Sequence, residues 1–175
     1  VMTWKQLQNG SDIRGVAIAG VADEPVNLTP ERIQILGRSF VAWQSQQDQP
    51  QQERQERSPQ SLKIAVGRDS RLSGPTLMPE LVKGMTQMGC QVQDFGLAST
   101  PAMFMSTVNT ATACDGAIMM TASHLPFNRN GLKFFTPKGG LDKKDIAAIL
   151  ELAAQDASEQ DVPEQPSDPP IPEST

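Results

Sequence analysis

The sequence has little of what several common classes of protein require. Its 175 residues include only two cysteines, Cys90 and Cys114, with no C-x-x-C spacing, which disfavours a thiolate metal site and favours buried thiols over a disulfide. No run of about 18 apolar residues occurs, so no membrane-spanning helix is predicted. Lysine and arginine form no basic stripe and the net charge is −5, which argues against nucleic acid as the main partner. We therefore expect neither a membrane nor a nucleic acid to be bound.

Hydrophobic residues are also scarce, at 38%, and two polar segments account for much of this scarcity. Residues 44–60 hold eight glutamines in seventeen positions, and residues 155–175 hold six acidic residues, five prolines and no lysine or arginine. Such compositions bury too little apolar surface to offset the entropy of ordering. We predict a folded domain over residues 1–154, with a disordered surface insertion at 44–60, followed by an acidic, proline-rich linker or tail at 155–175.

The rest of the chain alternates between strand and helix patterns. Strands are predicted at residues 13–20, 62–66, 92–95, 116–120 and 132–135, and helices from 30, from 73 or 74, at 100–108 and at 142–154. This alternation predicts a three-layer α/β fold, in which a mostly parallel mixed sheet carries helices on both faces. Functional loops follow the carboxyl ends of strands in such sheets. Arg68 and Ser123 each follow a predicted strand and are therefore candidates for the site.

One segment after a predicted strand, residues 121–134, concentrates reactive side chains. It contains Ser123, His124 and Lys133, with an Asn130-Gly131 pair that favours a tight turn. A loop folded at that turn would bring the Lys133 ammonium near the Ser123 hydroxyl. Such a serine is a nucleophile for acyl transfer, a phosphate carrier whose charge nearby cations neutralise, or part of a polar turn without function. No Gly-x-Ser-x-Gly elbow surrounds Ser123, which disfavours a serine hydrolase.

Four ordered motifs resemble those of the α-D-phosphohexomutase superfamily, which includes phosphoglucomutases, phosphomannomutases and phosphoglucosamine mutases. Residues 121–133 are similar to its T-A-S-H-N-P followed by N-G-x-K. Residues 11–15 resemble its D-I-R-G, residues 66–74 its V-G-R-D-x-R-x-S-G, and residues 96–101 its G-x-x-x-T-P. Four motifs in the right order, over about residues 9 to 150, are far more specific than one short pattern. The chain resembles only the first of the superfamily's four domains, domain I.

The resemblance implies a catalytic role for four residues. Ser123 would carry the transferable phosphate, and Lys133 and Arg14 would lie near it and assist the movements of protons and charge. His124 would line the same pocket. Phosphoryl transfer develops charge on the equatorial phosphate oxygens, and fixed cations stabilise that charge. A Mg²⁺ ion, bound through the phosphate on Ser123, is the implied cofactor.

The resemblance also implies that Arg68 and Asn130 bind substrate, although a structural ion pair is an equally good interpretation of Arg68. The sequence departs from the superfamily at Leu125, where asparagine is usual. It also contains no D-G-D-x-D-R metal motif and no G-E-x-S sugar motif. The Mg²⁺ ion would therefore have one ligand here, the phosphate on Ser123, which is too few for tight binding.

The implied function is that of an isomerase, an intramolecular phosphotransferase that interconverts hexose 1-phosphates and hexose 6-phosphates through a hexose bisphosphate. With domain I alone, the chain is expected to be an incomplete portion of the enzyme, inactive without the remaining mutase domains in cis or in trans. The alternative is a non-catalytic binding or regulatory module derived from that domain. The particular hexose stays open. The expected location is the cytoplasm, or an organelle stroma if a targeting segment has been removed.

Overall fold

A single mixed β-sheet forms the centre of the protein. The structure, a computed structural model, describes residues 2–47 and 57–160. Within these ranges the strands are β1 (Gln8–Asn9), β2 (Asp12–Val16), β3 (Lys63–Arg68), β4 (Gln91–Leu97), β5 (Gly116–Met120), β6 (Arg129–Thr136) and β7 (Gly139–Gly140). The helices are α1 (Pro30–Gln46), α2 (Gly74–Gln87), α3 (Thr100–Val108) and α4 (Lys143–Gln160), with 3-10 turns at Trp4–Leu7 and Pro59–Ser61.

The direction of the strands brings several strand ends to one edge of the sheet. The strand order is β1-β2-β6-β5-β3-β4, with β7 beside β6. Strand β3 pairs in parallel with β4 and β5, whereas β6 pairs antiparallel with both β5 and β2. Strands β2, β3, β4 and β5 therefore all run in one direction, and β6 runs against them. The carboxyl ends of β2, β3 and β5 consequently meet the amino end of β6 at a common edge.

Helices cover both faces of the sheet, which confirms the predicted three-layer α/β fold. Helices α1, α2 and α4 bury one face in the larger apolar core, and α3 covers part of the other face in a smaller core around Met103 and Phe135. Helix α1 begins at Pro30. Thr29 caps its amino end, because its hydroxyl accepts a hydrogen bond from the Arg32 amide at 3.2 Å. The apolar side chains along one face of this helix are buried: Ile33, Leu36, Phe40 and Trp43.

The expectation of buried thiols agrees with the described part of the chain. Cys90 and Cys114 are both free thiols and both are buried. Desolvation by burial raises the pKa of the Cys90 thiol to about 11. No helix in residues 2–47 or 57–160 is long and apolar enough to cross a membrane.

The tight turn predicted at Asn130-Gly131 is wrong. Both residues lie inside β6, where Gly131 pairs with Arg14 and Asn130 pairs with Gly15 of β2. The chain turns earlier, through backbone hydrogen bonds from Leu125 to Ala122 and from Arg129 to Pro126, each at 3.0 Å. The glycine serves a close approach of strands, because a Cβ at position 131 would lie 2.1 Å from the Ile13 carbonyl oxygen.

The ends of the predicted insertion at 44–60 also need correction. Gln44 to Gln46 form the last turn of α1, and the buried Gln44 donates its amide to the Asp115 carbonyl at 3.2 Å. At the other end, Arg57 pairs with the Asp115 carboxylate at 2.5 Å. Tertiary bonds to Asp115 therefore order positions that composition alone assigned to the insertion. Residues 48–56, to which the prediction of disorder still applies, lie outside the described residues.

The predicted end of the domain at residue 154 is likewise too early. Helix α4 continues to Gln160, because Arg38 of α1 donates two hydrogen bonds to Asp156, at 2.7 and 2.8 Å. The paired carboxylate raises the pKa of Arg38. Two well-aligned bonds of this kind add geometric specificity to the pairing of α1 with α4. Residues 161–175, which make up most of the predicted acidic tail, lie outside the described residues.

Candidate active site

Ser123 lies in an exposed loop at the common edge of the sheet. This serine loop, residues 121–128, joins β5 to β6. Ser123 is exposed and has a φ of +55°, a left-handed conformation that residues with a Cβ adopt infrequently. Its amide donates to the Thr121 hydroxyl at 2.9 Å, and its carbonyl accepts from Arg71 at 2.7 Å. Strained, exposed residues held in this way are concentrated at functional sites, so the geometry supports Ser123 as a candidate.

A single arginine, Arg71, fastens the serine loop to the end of β3. Its side chain is only 11% exposed. Its guanidinium donates to four backbone carbonyls, those of Ser123 (2.7 Å), Leu125 (2.8 Å), Pro126 (2.9 Å) and Arg129 (3.1 Å).

Asp69 connects Arg71 to Thr121, the first residue of the loop. The Thr121 hydroxyl donates to Asp69 Oδ2 at 2.6 Å, and Arg71 Nε lies 3.4 Å from the same oxygen. Both Asp69 and Arg71 stand within the motif at residues 66–74, which was the available signal. Of the residues in that motif, only Arg68 was predicted to belong to the site, and neither Asp69 nor Arg71 was.

Asp12 brings the two predicted catalytic cations together. Its Oδ1 lies 3.1 Å from Lys133 Nζ, and its Oδ2 lies 3.0 Å from Arg14 Nη2. Arg14 also donates to the Thr121 carbonyl, which places its guanidinium against the serine loop. Burial lowers the pKa of Arg14; Asp12 raises it in opposition, and the nearby Arg71 cation lowers it further. Arginine stays protonated at neutral pH even so. The ion cluster of Asp12, Arg14 and Lys133 therefore presents fixed positive charge against the serine loop, at Thr121.

The other predicted site residues differ in their accessibility. His124 is exposed next to Ser123. Arg68 donates to the Asp69 carbonyl at 3.2 Å, and it packs so closely on Gly74 of α2 that a Cβ there would lie 3.0 Å from Arg68 Cδ. Within the described residues Arg68 forms no ion pair. Asn130 is fully buried, and its amide group bonds to the Ser73 hydroxyl at 2.8 Å and to the Gly131 amide at 2.9 Å.

A second set of contacts holds the far end of the serine loop. Glu24 accepts hydrogen bonds from Asn128 Nδ2 at 2.7 Å and from Arg129 Nε at 3.2 Å. These hydrogen bonds lower the pKa of Glu24, and the bond from Asn128 has the larger effect. The Asn128 carbonyl in turn accepts from the Ala17 amide at 2.8 Å. The loop is thus held at both ends, while Ser123 and His124 remain accessible between them.

The described residues do not fit a complete metal site. In residues 2–47 and 57–160, no group of three or more histidine, cysteine, aspartate or glutamate side chains could hold a metal ion. The two carboxylates of the cluster are already engaged, Asp12 with Arg14 and Lys133, and Asp69 with Arg71 and Thr121. Mg²⁺ prefers an octahedron of oxygen ligands, and this part of the chain does not supply one.

Comparison with known proteins identifies the family. Residues 5–160 match the family model described as phosphoglucomutase/phosphomannomutase, alpha/beta/alpha domain I. A phosphomannomutase/phosphoglucomutase from Pseudomonas putida is 34% identical over 140 residues, which are 80% of this chain and 27% of that protein. A phosphoglucosamine mutase from Sulfurovum sp. is 40% identical over 100 residues, which are 57% of this chain and 22% of that protein.

A solved structure supports the same assignment at the level of the fold. It is a phosphoglucomutase/phosphomannomutase family protein from Burkholderia thailandensis, with a TM-score of 0.68 and 23% identity. The match covers 89% of this chain and 31% of that one. The chain thus spans about a quarter of the length of the curated relatives above. The resemblance drawn from the four motifs is confirmed, and the chain belongs to the phosphoglucomutase/phosphomannomutase family, in which it corresponds to domain I.

Proposed function

We propose that this chain is the phosphate-carrying domain of a phosphohexomutase and that Ser123 bears the phosphate. The observation that carries the proposal is the conformation of Ser123. This residue is exposed and left-handed, and its carbonyl accepts a hydrogen bond from Arg71. Arg14 contacts the same loop, and the Asp12 carboxylate pairs with both Arg14 and Lys133. A transferable phosphate needs an accessible hydroxyl and fixed cations nearby, and here the hydroxyl stands on a loop that two arginines contact.

The proposed transfer runs from phosphoserine to a sugar hydroxyl. The bond between Ser123 Oγ and phosphorus breaks. A bond forms between phosphorus and a hydroxyl oxygen of a hexose monophosphate, which gives a hexose bisphosphate. The net proton movement is from the sugar hydroxyl to the serine oxygen. We assign the proton that the serine oxygen receives to the Lys133 ammonium. The proton of the sugar hydroxyl then passes to the Lys133 amine and restores its charge. Arg14 stabilises charge on the equatorial oxygens. The bisphosphate reorients and returns its other phosphate to Ser123.

The remaining predicted residues receive different roles in the proposal. His124, exposed beside Ser123, is proposed to contact the sugar phosphate. Arg68 and Asn130 are proposed to support the site rather than to bind substrate, because Arg68 packs on α2 and Asn130 is fully buried. Mg²⁺ bound at the phosphate would have Ser123 as its one attachment to the described residues, and its other ligands would come from the remaining mutase domains.

The test is phosphate uptake by the purified chain. The chain is incubated with glucose 1,6-bisphosphate, and the intact mass and phosphopeptides are measured. We expect one added phosphate, located on Ser123, that is absent in Ser123→Ala and retained in Ser70→Ala, a control at an exposed serine in the neighbouring loop. Phosphate that persists in Ser123→Ala would remove Ser123 from the role of carrier. A folded chain that takes up no phosphate would favour the non-catalytic module.

A second assay tests whether the chain is sufficient for catalysis. With glucose 1-phosphate, a catalytic amount of the bisphosphate and Mg²⁺, we expect no repeated turnover, because the described residues supply no complete metal site. Glucose 6-phosphate should not exceed the amount, at most one equivalent per chain, that loading of Ser123 from the bisphosphate releases. Transfer also depends on an acceptor held in line with the phosphate. Clear turnover that disappears in Ser123→Ala would mean that this one domain is enough.

A further inference from the structure

Among the described side chains, the Arg71 guanidinium makes the most hydrogen bonds to the backbone of the serine loop and its junction with β6. Arg71 donates to four carbonyls between positions 123 and 129. Within the described backbone, the loop itself contributes the hydrogen bonds from Leu125 to Ala122 and from Arg129 to Pro126. Hydrogen bonds from a charged donor are stronger than those between neutral groups. Arg71 is therefore the main side-chain restraint on the path of the loop.

The same guanidinium binds the backbone of Ser123 itself. A residue with a Cβ does not stay at a φ of +55° unless its surroundings determine that conformation. Arg71 holds the carbonyl of Ser123, and Thr121 holds its amide. Asp69 contacts both Arg71 and Thr121, at 3.4 and 2.6 Å. Arg71, Asp69 and Thr121 thus form a clamp on the two peptide groups that flank the serine side chain.

We propose that Arg71 is a positioning residue for phosphoryl transfer, which fixes Ser123 in its left-handed conformation and so sets the direction of the phosphate on its side chain. Arg71 acts through the backbone of Ser123, at 2.7 Å from its carbonyl, and touches no reacting atom. Lysine cannot replace it, because an ammonium presents three donors around one nitrogen and cannot reach four separate carbonyls. The catalytic part of the proposal rests on the proposed function, whereas the control of the loop does not.

The first experiment measures the loop directly, without phosphate. Amide hydrogen exchange is compared in the native chain, Arg71→Lys and Arg38→Ala. Arg38 is a matched control, because its side chain is 14% exposed and donates to Asp156 and Gln87, away from the loop. In Arg71→Lys we expect the amides of Ser123, Leu125 and Arg129 to exchange more than about tenfold faster. Arg38→Ala should leave these three amides as they are.

Two outcomes would overturn the control of the loop by Arg71. One is unchanged exchange of the three loop amides in Arg71→Lys. The other is a loop that exchanges equally faster in both variants, which would reflect general loss of stability. Arg71→Ala, which removes all side-chain donors, provides a second variant, and loop exchange in either folded variant decides the point.

The second experiment measures the consequence for transfer. The rate of phosphate uptake from glucose 1,6-bisphosphate is measured in the native chain and in Arg71→Lys. We expect a rate more than about tenfold lower, with little change in the bisphosphate concentration that gives half the maximal rate, as for a residue that orients the nucleophile without binding substrate. A looser loop with an unchanged rate would refute the positioning role. If the native chain takes up no phosphate, the proposed function fails, and the exchange result still decides the role in the loop.

Discussion

Gly131 links the geometry of the sheet to the geometry of the site, and Gly131→Ala is the sharpest test of both. The residue lies in β6 opposite Arg14 of β2. An added Cβ would lie 2.1 Å from the Ile13 carbonyl oxygen, 2.7 Å from Arg14 Cδ and 2.8 Å from Arg14 Nη1. Carbon and oxygen atoms in proteins approach to about 3.3 Å. The substitution therefore forces β2 and β6 apart by roughly an ångström, or displaces Arg14, or both.

The size of the effect follows from which atoms must move. Overpacking a tightly packed region costs about 1–3 kcal/mol, and occasionally more. The nearest atom here is a backbone oxygen between two paired strands, not the end of a flexible side chain, so we expect about 3 kcal/mol. For a domain of this size, a loss of about 3 kcal/mol lowers Tm by roughly 6–12 °C. Displacement of Arg14 should also slow phosphate uptake by Ser123.

The assay is thermal unfolding followed by circular dichroism, with Gly140→Ala as the matched control. Gly140 lies in β7, and a Cβ there would have its nearest contact at 3.8 Å, an ordinary van der Waals distance. The control should change the free energy of unfolding by no more than about 0.5 kcal/mol. Equal Tm values for the two variants would refute the close approach of β6 to β2 and, with it, the described position of Arg14.

Three further predictions concern the ion cluster, a buried thiol and the glutamine-rich segment. Asp12→Asn removes the negative charge between Arg14 and Lys133; it should cost about 1–3 kcal/mol in urea unfolding and slow phosphate uptake, and an unchanged uptake rate would exclude Asp12 from the site. Burial raises the pKa of Cys90 to about 11, so its thiol stays protonated at pH 8. It should react slowly with a thiol reagent until the chain unfolds, and fast reaction in the native state would show that it is accessible. Deletion of residues 48–56 should change Tm by less than about 2 °C, because loop closure depends weakly on length; a larger drop would mean that the segment packs on the domain.

The elements that could be predicted most closely are those whose local signals agree. Helix α3 occupies residues 100–108 as predicted, because the Ser99 hydroxyl caps its amino end and Pro101 stands in the first turn, where its missing amide hydrogen costs nothing. Strand β5 occupies residues 116–120 as predicted, because all its residues are buried and apolar. The Asn130-Gly131 pair carried an equally strong local signal, for a turn. Tertiary contacts with β2 overrode it, and no local rule anticipates a glycine required by a neighbouring strand.

The site could be predicted only in part, because motifs identify residues and the fold decides their neighbours. Resemblance selected Ser123, Arg14 and Lys133, but Asp12 was not selected, since its contact with Lys133 depends on the antiparallel pairing of β2 with β6. Arg68 and Arg71 stand three positions apart in one motif and have the same chemistry. Strand β3 ends at Arg68. The path of the chain after that residue brings Arg71, and not Arg68, within hydrogen-bonding distance of the serine loop.

The charges near the serine loop explain why a phosphate on Ser123 would need more positive charge than these residues provide. Three cations, Arg14, Arg71 and Lys133, are already paired with two carboxylates, those of Asp12 and Asp69. A phosphoserine adds a charge of about −1.5 to −2 at neutral pH, which exceeds the one positive charge that these pairs leave over. The phosphate must then compete with Asp12 for Arg14 and Lys133, or draw on positive charge from outside these pairs. Transfer in either direction passes through one transition state, in which charge must be stabilised on the phosphate oxygens. On the proposed function, the domain alone would therefore take up a phosphate slowly and hold it, and repeated exchange with a sugar would call for cations that the remaining domains would bring.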